Sequence, residues 1–161
     1  MHVAVFFHSK TGNTEKVALA IKAFFESKKA LVELYRLEPA KDFSPKELEK
    51  LGRVDLKKVP FAMSNYDLVF VGSPVWGMQP TPVAISFLKT IEKTGQKKFV
   101  LFLTCHGLAG SGTKKMSSIL AVKGAVVLDS FTIKSLFPLG EKHLKKTAEL
   151  CEKIYSKIVV P

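Results

Sequence analysis

Three polar segments carry the residues whose types and spacing could do chemistry. The first reads His8-Ser9-Lys10-Thr11-Gly12-Asn13-Thr14-Glu15, between an apolar run and a helix-period stretch. A helix N-terminus presents unpaired N–H groups and the positive end of its dipole. The hydroxyls of Ser9, Thr11 and Thr14 add donors, and Gly12 permits a bend and a close approach. This set suits a phosphate held mainly by neutral donors. The spacing is neither GxxxxGK[ST] nor GxGxxG. The plainer alternative is a helix start with no ligand, Thr14 capping it and Gly12 relieving a turn.

The second segment is Gly72-Ser73-Pro74-Val75-Trp76-Gly77-Met78-Gln79-Pro80-Thr81-Pro82. Three prolines stiffen it, and it holds the only tryptophan of the chain. A lone tryptophan usually fills a core. Beside Gly77 on a loop, an indole face suits a wall for a flat heterocycle. The third segment runs from Thr104 to Thr113, with glycines at 107, 110 and 112 that open the backbone to a ligand's polar edge. Cys105 and His106 adjoin, but neighbours in sequence point apart and no third group orients them. Cys105 reads as a small buried hydrophobe and His106 as a loop donor. No catalytic residue and no metal-ligand set emerges. Cys105 and Cys151 form no CxxC pair, which argues against a disulfide framework, a zinc site and an iron–sulfur cluster.

The elements that must position these segments alternate along the chain. Val3–Phe7, Leu31–Leu37, Leu68–Val71, Phe99–Leu103 and Ala125–Leu128 are apolar runs of the kind buried on both faces of a parallel sheet. Between them lie helix-period stretches. Thr14–Ser27 carries Val17, Ala20, Ile21 and Phe24 on one stripe. Pro82–Ile91 carries Val83, Phe87 and Ile91, and Thr113–Val122 carries Met116, Ile119 and Leu120. Glu141–Ile158 carries Leu144, Ala148, Cys151, Tyr155 and Ile158. Ser44-Pro45-Lys46-Glu47 has the pattern of a capped helix start, ended by Gly52, with irregular chain beyond. The pattern predicts one α/β domain over 1–161, a doubly wound five-stranded parallel sheet with helices on both faces. In such sheets ligands bind beyond the carboxyl ends of the strands, where the strand order reverses.

Taken together the three segments resemble the flavodoxin family over nearly the whole chain. Ser9-Lys10-Thr11-Gly12-Asn13-Thr14 is similar to the family's [ST]-x-T-G-x-T phosphate loop, and Tyr66 to Trp76 is similar to its third strand and first flavin loop. The resemblance implies strand order 2-1-3-4-5 and non-covalent FMN. It implies that Ser9, Lys10, Thr11, Gly12, Asn13 and Thr14 hold the FMN phosphate. Pro74, Val75, Trp76, Gly77 and Met78 would wall the ring. Thr104, Cys105, His106 and Gly107 would lie at its pyrimidine edge. The function so implied is an electron carrier between redox partner proteins. The alternative is an NAD(P)H-dependent FMN reductase of a quinone, flavin or similar small acceptor. Many flavodoxins stack an aromatic residue from the second flavin loop on the ring. This chain has none there, which leaves the outer face open to a hydride donor.

Composition bounds the partners. The 161 residues are 47% hydrophobic and 24% charged, which excludes disorder and fibrous repeats. Lys plus Arg is 25 against 14 Asp plus Glu, a net charge of +11. The excess is +4 over residues 1–93 and +7 over 94–161. Such a field favours partners with acidic surfaces. With only two arginines and no arginine-rich run, nucleic acid is a poor candidate. No apolar run approaches membrane-spanning length, and the N-terminus lacks a secretory pattern, so the expected location is cytoplasmic.

Overall fold

The computed structural model describes residues 1–159. Val160 and Pro161, inside the expected 1–161 domain, lie outside the described residues. Strand β1 (His2–Phe7) leads through helix α1 (Asn13–Ser27) to β2 (Leu31–Arg36) and the short helix α2 (Pro45–Lys50). Then come β3 (Leu68–Trp76), the two-residue β4 (Gln79–Pro80), α3 (Pro82–Thr90) and β5 (Lys98–Cys105). The chain continues with α4 (Gly112–Val122), β6 (Val126–Lys134) and α5 (Glu141–Val159). The main sheet is parallel, in the order β2-β1-β3-β5-β6. With β4 set aside this is the expected doubly wound order 2-1-3-4-5.

Side chains on successive strand residues alternate between the faces. In β1, Ala4 and Phe6 join one core cluster, while Val3, Val5 and Phe7 join the other. Strand β5 divides alike, Phe99, Leu101 and Leu103 against Val100 and Phe102. The first cluster is covered by α3 and α4 through Val83, Phe87, Leu88, Met116 and Leu120. The second is covered by α1 and α5 through Val17, Ile21, Phe25, Cys151 and Ile154. A sheet clad on both faces needs continuous apolar strands, and that is what the runs encode. A Cβ at Gly72 would overlap the Phe102 ring on the neighbouring strand, so any larger residue there must displace that ring.

Local signals hold at two helix starts. Ser44 Oγ accepts from the Glu47 amide at 3.3 Å, and Glu47 Oε2 accepts from the Ser44 amide at 2.7 Å. Thr81 Oγ1 accepts from the Ala84 amide at 3.4 Å. Elsewhere the structure departs from the sequence pattern. Thr14 does not cap α1; it is buried in the first turn, and Gly12 stands at the cap position. The segment after Val71 is not a long loop. Strand β3 runs on to Trp76 and turns back as a hairpin, pairing Val75 with Pro80 and Trp76 with Gln79. Gly77 and Met78 make the turn with φ of 54° and 62°, as two-residue hairpin turns require. The last strand reaches Lys134, six residues past the expected Leu128. It is an edge strand, so Asp129, Ser130 and Thr132 interrupt its apolar run while Phe131 and Ile133 still face the core. On α5 the fully buried positions are Thr147, Cys151 and Ile154; Tyr155 and Ile158 are half-buried.

Candidate functional site

The three polar segments end on the same edge of the sheet. A groove of about 260 Å³ opens there, at the carboxyl ends of β1, β3, β5 and β6. Lys10, Thr11, Asn13 and Thr14 line it from the first segment, Pro74, Val75 and Trp76 from the second, and Thr104, Cys105 and His106 from the third.

Five expected residues stand behind or beside these. Ser9 is buried, and its Oγ accepts from the amides of Gly12 at 3.2 Å and Glu15 at 3.4 Å, so Ser9 caps α1 from outside the helix. Gly12 takes φ 89°, where a side chain would be strained. Gly77 and Met78 form the hairpin turn beyond Trp76. Gly107 lies past His106, its carbonyl accepting from the Cys105 thiol at 3.4 Å.

The donor set suits a phosphate. Among the described residues, no backbone or side-chain group accepts from the amide of Thr11, Asn13 or Thr14. The Asn13 and Thr14 amides open a 15-residue helix, the Thr11 amide lies just before its Gly12 cap, and Lys10 lines the groove with them. Donors left open at a helix N-terminus are what an anion needs. The loop is braced from outside: Arg36 donates to the Ser9 carbonyl at 2.8 Å and pairs with Glu15 at 2.8 Å. Thr14 Oγ1 meets Thr104 Oγ1 at 2.7 Å, tying the first segment to the third.

Trp76 gives the groove its flat apolar wall. Its indole stands edge-on to the His8 ring, centroids 5.4 Å apart. His8 is buried, and its Nδ1 lies 2.9 Å from Thr81 Oγ1. Burial, then the charges of Arg36 and Lys10, lower its pKa to about 4, so it is a neutral support at physiological pH. Across the groove, His106 Nδ1–H donates to the Ser135 carbonyl at 2.8 Å. Burial raises the Cys105 thiol pKa, against a smaller opposing pull from Lys134. That agrees with Cys105 as a packing residue; a nucleophilic thiol needs the opposite shift.

Sequence reasoning missed part of the wall. Ile133, Ser135 and Leu139 enter from the end of β6 and the turn before α5, and Pro45 and Glu49 from α2. Asn13 Oδ1 accepts from the Leu139 amide at 3.1 Å, and Lys16 donates to the Leu139 carbonyl at 3.1 Å. The signal for this side was the Phe131/Ile133 alternation, which carries the strand to the groove. Nothing in the sequence marks Pro45 and Glu49.

The sequence profile of the family described as NADPH-dependent FMN reductase matches residues 1–138. Among solved structures, oxidised flavodoxin 2 from Bacillus cereus is 22% identical, with a TM-score of 0.71 over 98% of this chain and 99% of that one. A flavodoxin from the domain Archaea is 18% identical, with a TM-score of 0.66 over 98% and 99%. A flavoprotein in complex with FMN from Lactobacillus acidophilus NCFM is 18% identical, with a TM-score of 0.60 over 81% and 92%. At these identities the likeness establishes the flavodoxin-like fold. No protein of curated function matches the chain.

Proposed function

The chain belongs to the NADPH-dependent FMN reductase family, and from that premise we propose that it is an FMN-containing oxidoreductase that accepts electrons from NAD(P)H and passes them to a small acceptor. Bound in the groove, FMN supplies hydride and single-electron chemistry at its ring. The protein's share is to bind, orient and shield. The open amides of Thr11, Asn13 and Thr14, with the hydroxyl of Thr11 and the charge of Lys10, hold the phosphate. Ser9 and Gly12 shape that cradle from behind. Pro74, Val75 and Trp76 exclude water from one side of the ring, and the Gly77-Met78 turn fixes the wall they form. Thr104, Cys105, His106 and Gly107 lie at the polar edge, where the Ser135 carbonyl holds His106 through its Nδ1–H.

The observation that carries this reading is the uncovered side of the groove. Its wall between Thr104 and His106 has no phenylalanine, tyrosine or tryptophan, so Trp76 is the one large ring among the lining residues. A hydride donor needs that access. The test is anaerobic rapid mixing of the FMN-loaded protein with NADPH or NADH. Loss of the visible flavin absorbance within a turnover supports the reading; a flavin that stays oxidised in excess of both refutes it.

A second reading, a carrier between proteins in the cytoplasm, is favoured by the groove's rim. Met78 in the hairpin turn, Leu108 after β5, and Leu136 and Phe137 in the turn before α5 are 50%, 71%, 77% and 76% exposed. An apolar rim on a chain of net charge +11 suits an acidic redox partner. The carrier reading expects no response to either nicotinamide nucleotide, and electron exchange with such a partner that slows steeply with salt.

A further inference from the structure

A cavity of about 450 Å³ opens between the end of α2, the β3–β4 hairpin, α3 and the start of α4. Trp76 and Glu49 line both it and the flavin groove, so the two spaces adjoin across those side chains. None of the roles assigned above uses this space.

Its walls are mostly apolar. Thr81 caps α3 and Pro82 opens it, which sets Pro82, Ile85 and Lys89 on one helix face at i, i+3 and i+7. The hairpin turns back and brings Trp76 and Pro80 to the same cavity, and Leu51, just past α2, completes the lining. Pro80 and Ile85 are buried, and Leu51, Trp76 and Pro82 are half-buried.

The charged groups are few. Lys89 stands in the last turn of α3 and Lys115 near the start of α4, against one carboxylate, Glu49 on α2. Among the described residues, no hydrogen bond or ion pair engages the ammonium of Lys89 or Lys115. A cavity of this size, apolar with a few polar groups, has the make-up of a small-molecule site. The indole and two proline rings offer flat apolar surface to an aromatic body. Two cations less one carboxylate leave one positive charge, which a single anionic group matches. A metal ion would find only one carboxylate there, and a nucleotide diphosphate carries more negative charge than these walls offset.

We propose that this cavity binds a small aromatic carboxylate, its ring against Trp76 and Pro82 and its carboxylate on Lys89 and Lys115. The site goes beyond the oxidoreductase reading and does not rest on it. Its occupant touches the same indole that walls the FMN groove.

Calorimetry on the FMN-loaded protein, whose groove is filled, uses 2-naphthoate, 2-naphthol and octanoate as probes. 2-Naphthoate should bind tightest, because 2-naphthol keeps the rings without the charge and octanoate keeps the charge without the rings. Lys89→Gln and Lys115→Gln should each weaken 2-naphthoate about fivefold, the upper end for a solvent-accessible ion pair, and leave 2-naphthol unchanged. Both lysines are exposed, so these variants and their combination keep the fold. Leu51→Ala should weaken 2-naphthoate and 2-naphthol alike. Saturating 2-naphthoate should shift the indole N–H resonance of Trp76, the chain's one tryptophan, while FMN stays bound. The proposal is overturned by equal binding of 2-naphthoate and 2-naphthol, by tighter binding of octanoate, by an unmoved Trp76 resonance, or by a double lysine variant that binds as wild type does. A wild type that takes up no FMN refutes the function instead; the same titrations on that flavin-free protein, set against the lysine variants, still decide the cavity.

Discussion

His8 makes the most quantitative demand on the structure. It is 5% exposed, paired with Thr81 and packed edge-on against Trp76, and its pKa falls from 6.5 to about 4 on folding. Between those values the unfolded chain holds a proton that the folded chain refuses. Stability from this residue is therefore complete above pH 6.5 and drains away as pH falls toward 4. The whole gap is worth roughly 3 kcal/mol, of which about 2.5 kcal/mol is gone by pH 4.5. Urea unfolding of the flavin-free protein at pH 7.0 and pH 4.5 reads it, as a midpoint drop of about 1 M attributable to this one side chain. His8→Asn keeps a polar group near Thr81 and removes the titration. It should be less stable than wild type at pH 7 and lose much less on acidification. Parallel losses in the two proteins, or a His8 imidazole resonance that titrates near pH 6.5, would refute the reasoning.

Other consequences are simpler to test. Gly72→Ala drives a methyl into the Phe102 ring, and thermal unfolding should fall by several degrees, as overpacking by about 1–3 kcal/mol requires at this chain length. Gly110→Ala, at φ 58° with its Cβ aimed at the Met78 carbonyl, should part the third loop from the hairpin and weaken FMN binding more than it lowers stability. Riboflavin should bind at least about a hundredfold more weakly than FMN, since two charge-assisted phosphate contacts are worth that much. Quenching of Trp76 fluorescence, the chain's one tryptophan, is the readout; equal affinities would exclude the phosphate cradle.

Much of the fold was legible because burial on two faces leaves little choice of residue. Val3–Phe7 and Phe99–Leu103 could be read as central strands since any polar residue there would lie in a core cluster. The edge strand β6 was cut short for the complementary reason: with one side in solvent, Asp129, Ser130 and Thr132 are tolerated, and the apolar signal fades before the strand does. The proline-rich stretch after Val71 misled in another way. Pro80 sits in a two-residue strand at the sheet's margin, where a missing N–H is tolerated, so composition pointed to a loop where the backbone makes a hairpin.

What the linear chain determined by itself is local. A run of donors at one strand–helix junction, a tryptophan beside a glycine, and a capping box at Ser44 are each consequences of short-range geometry and side-chain type. What only the tertiary structure decided is which of these groups is free. Ser9 turned inward as a cap, Thr14 was tied to Thr104, Arg36 was spent on the loop, and among the described residues the amides of Thr11, Asn13 and Thr14 were left open. Hydrogen bonds and charges are satisfied by whatever group folding brings near, often from a hundred residues away, and spacing along the chain carries no record of that neighbour.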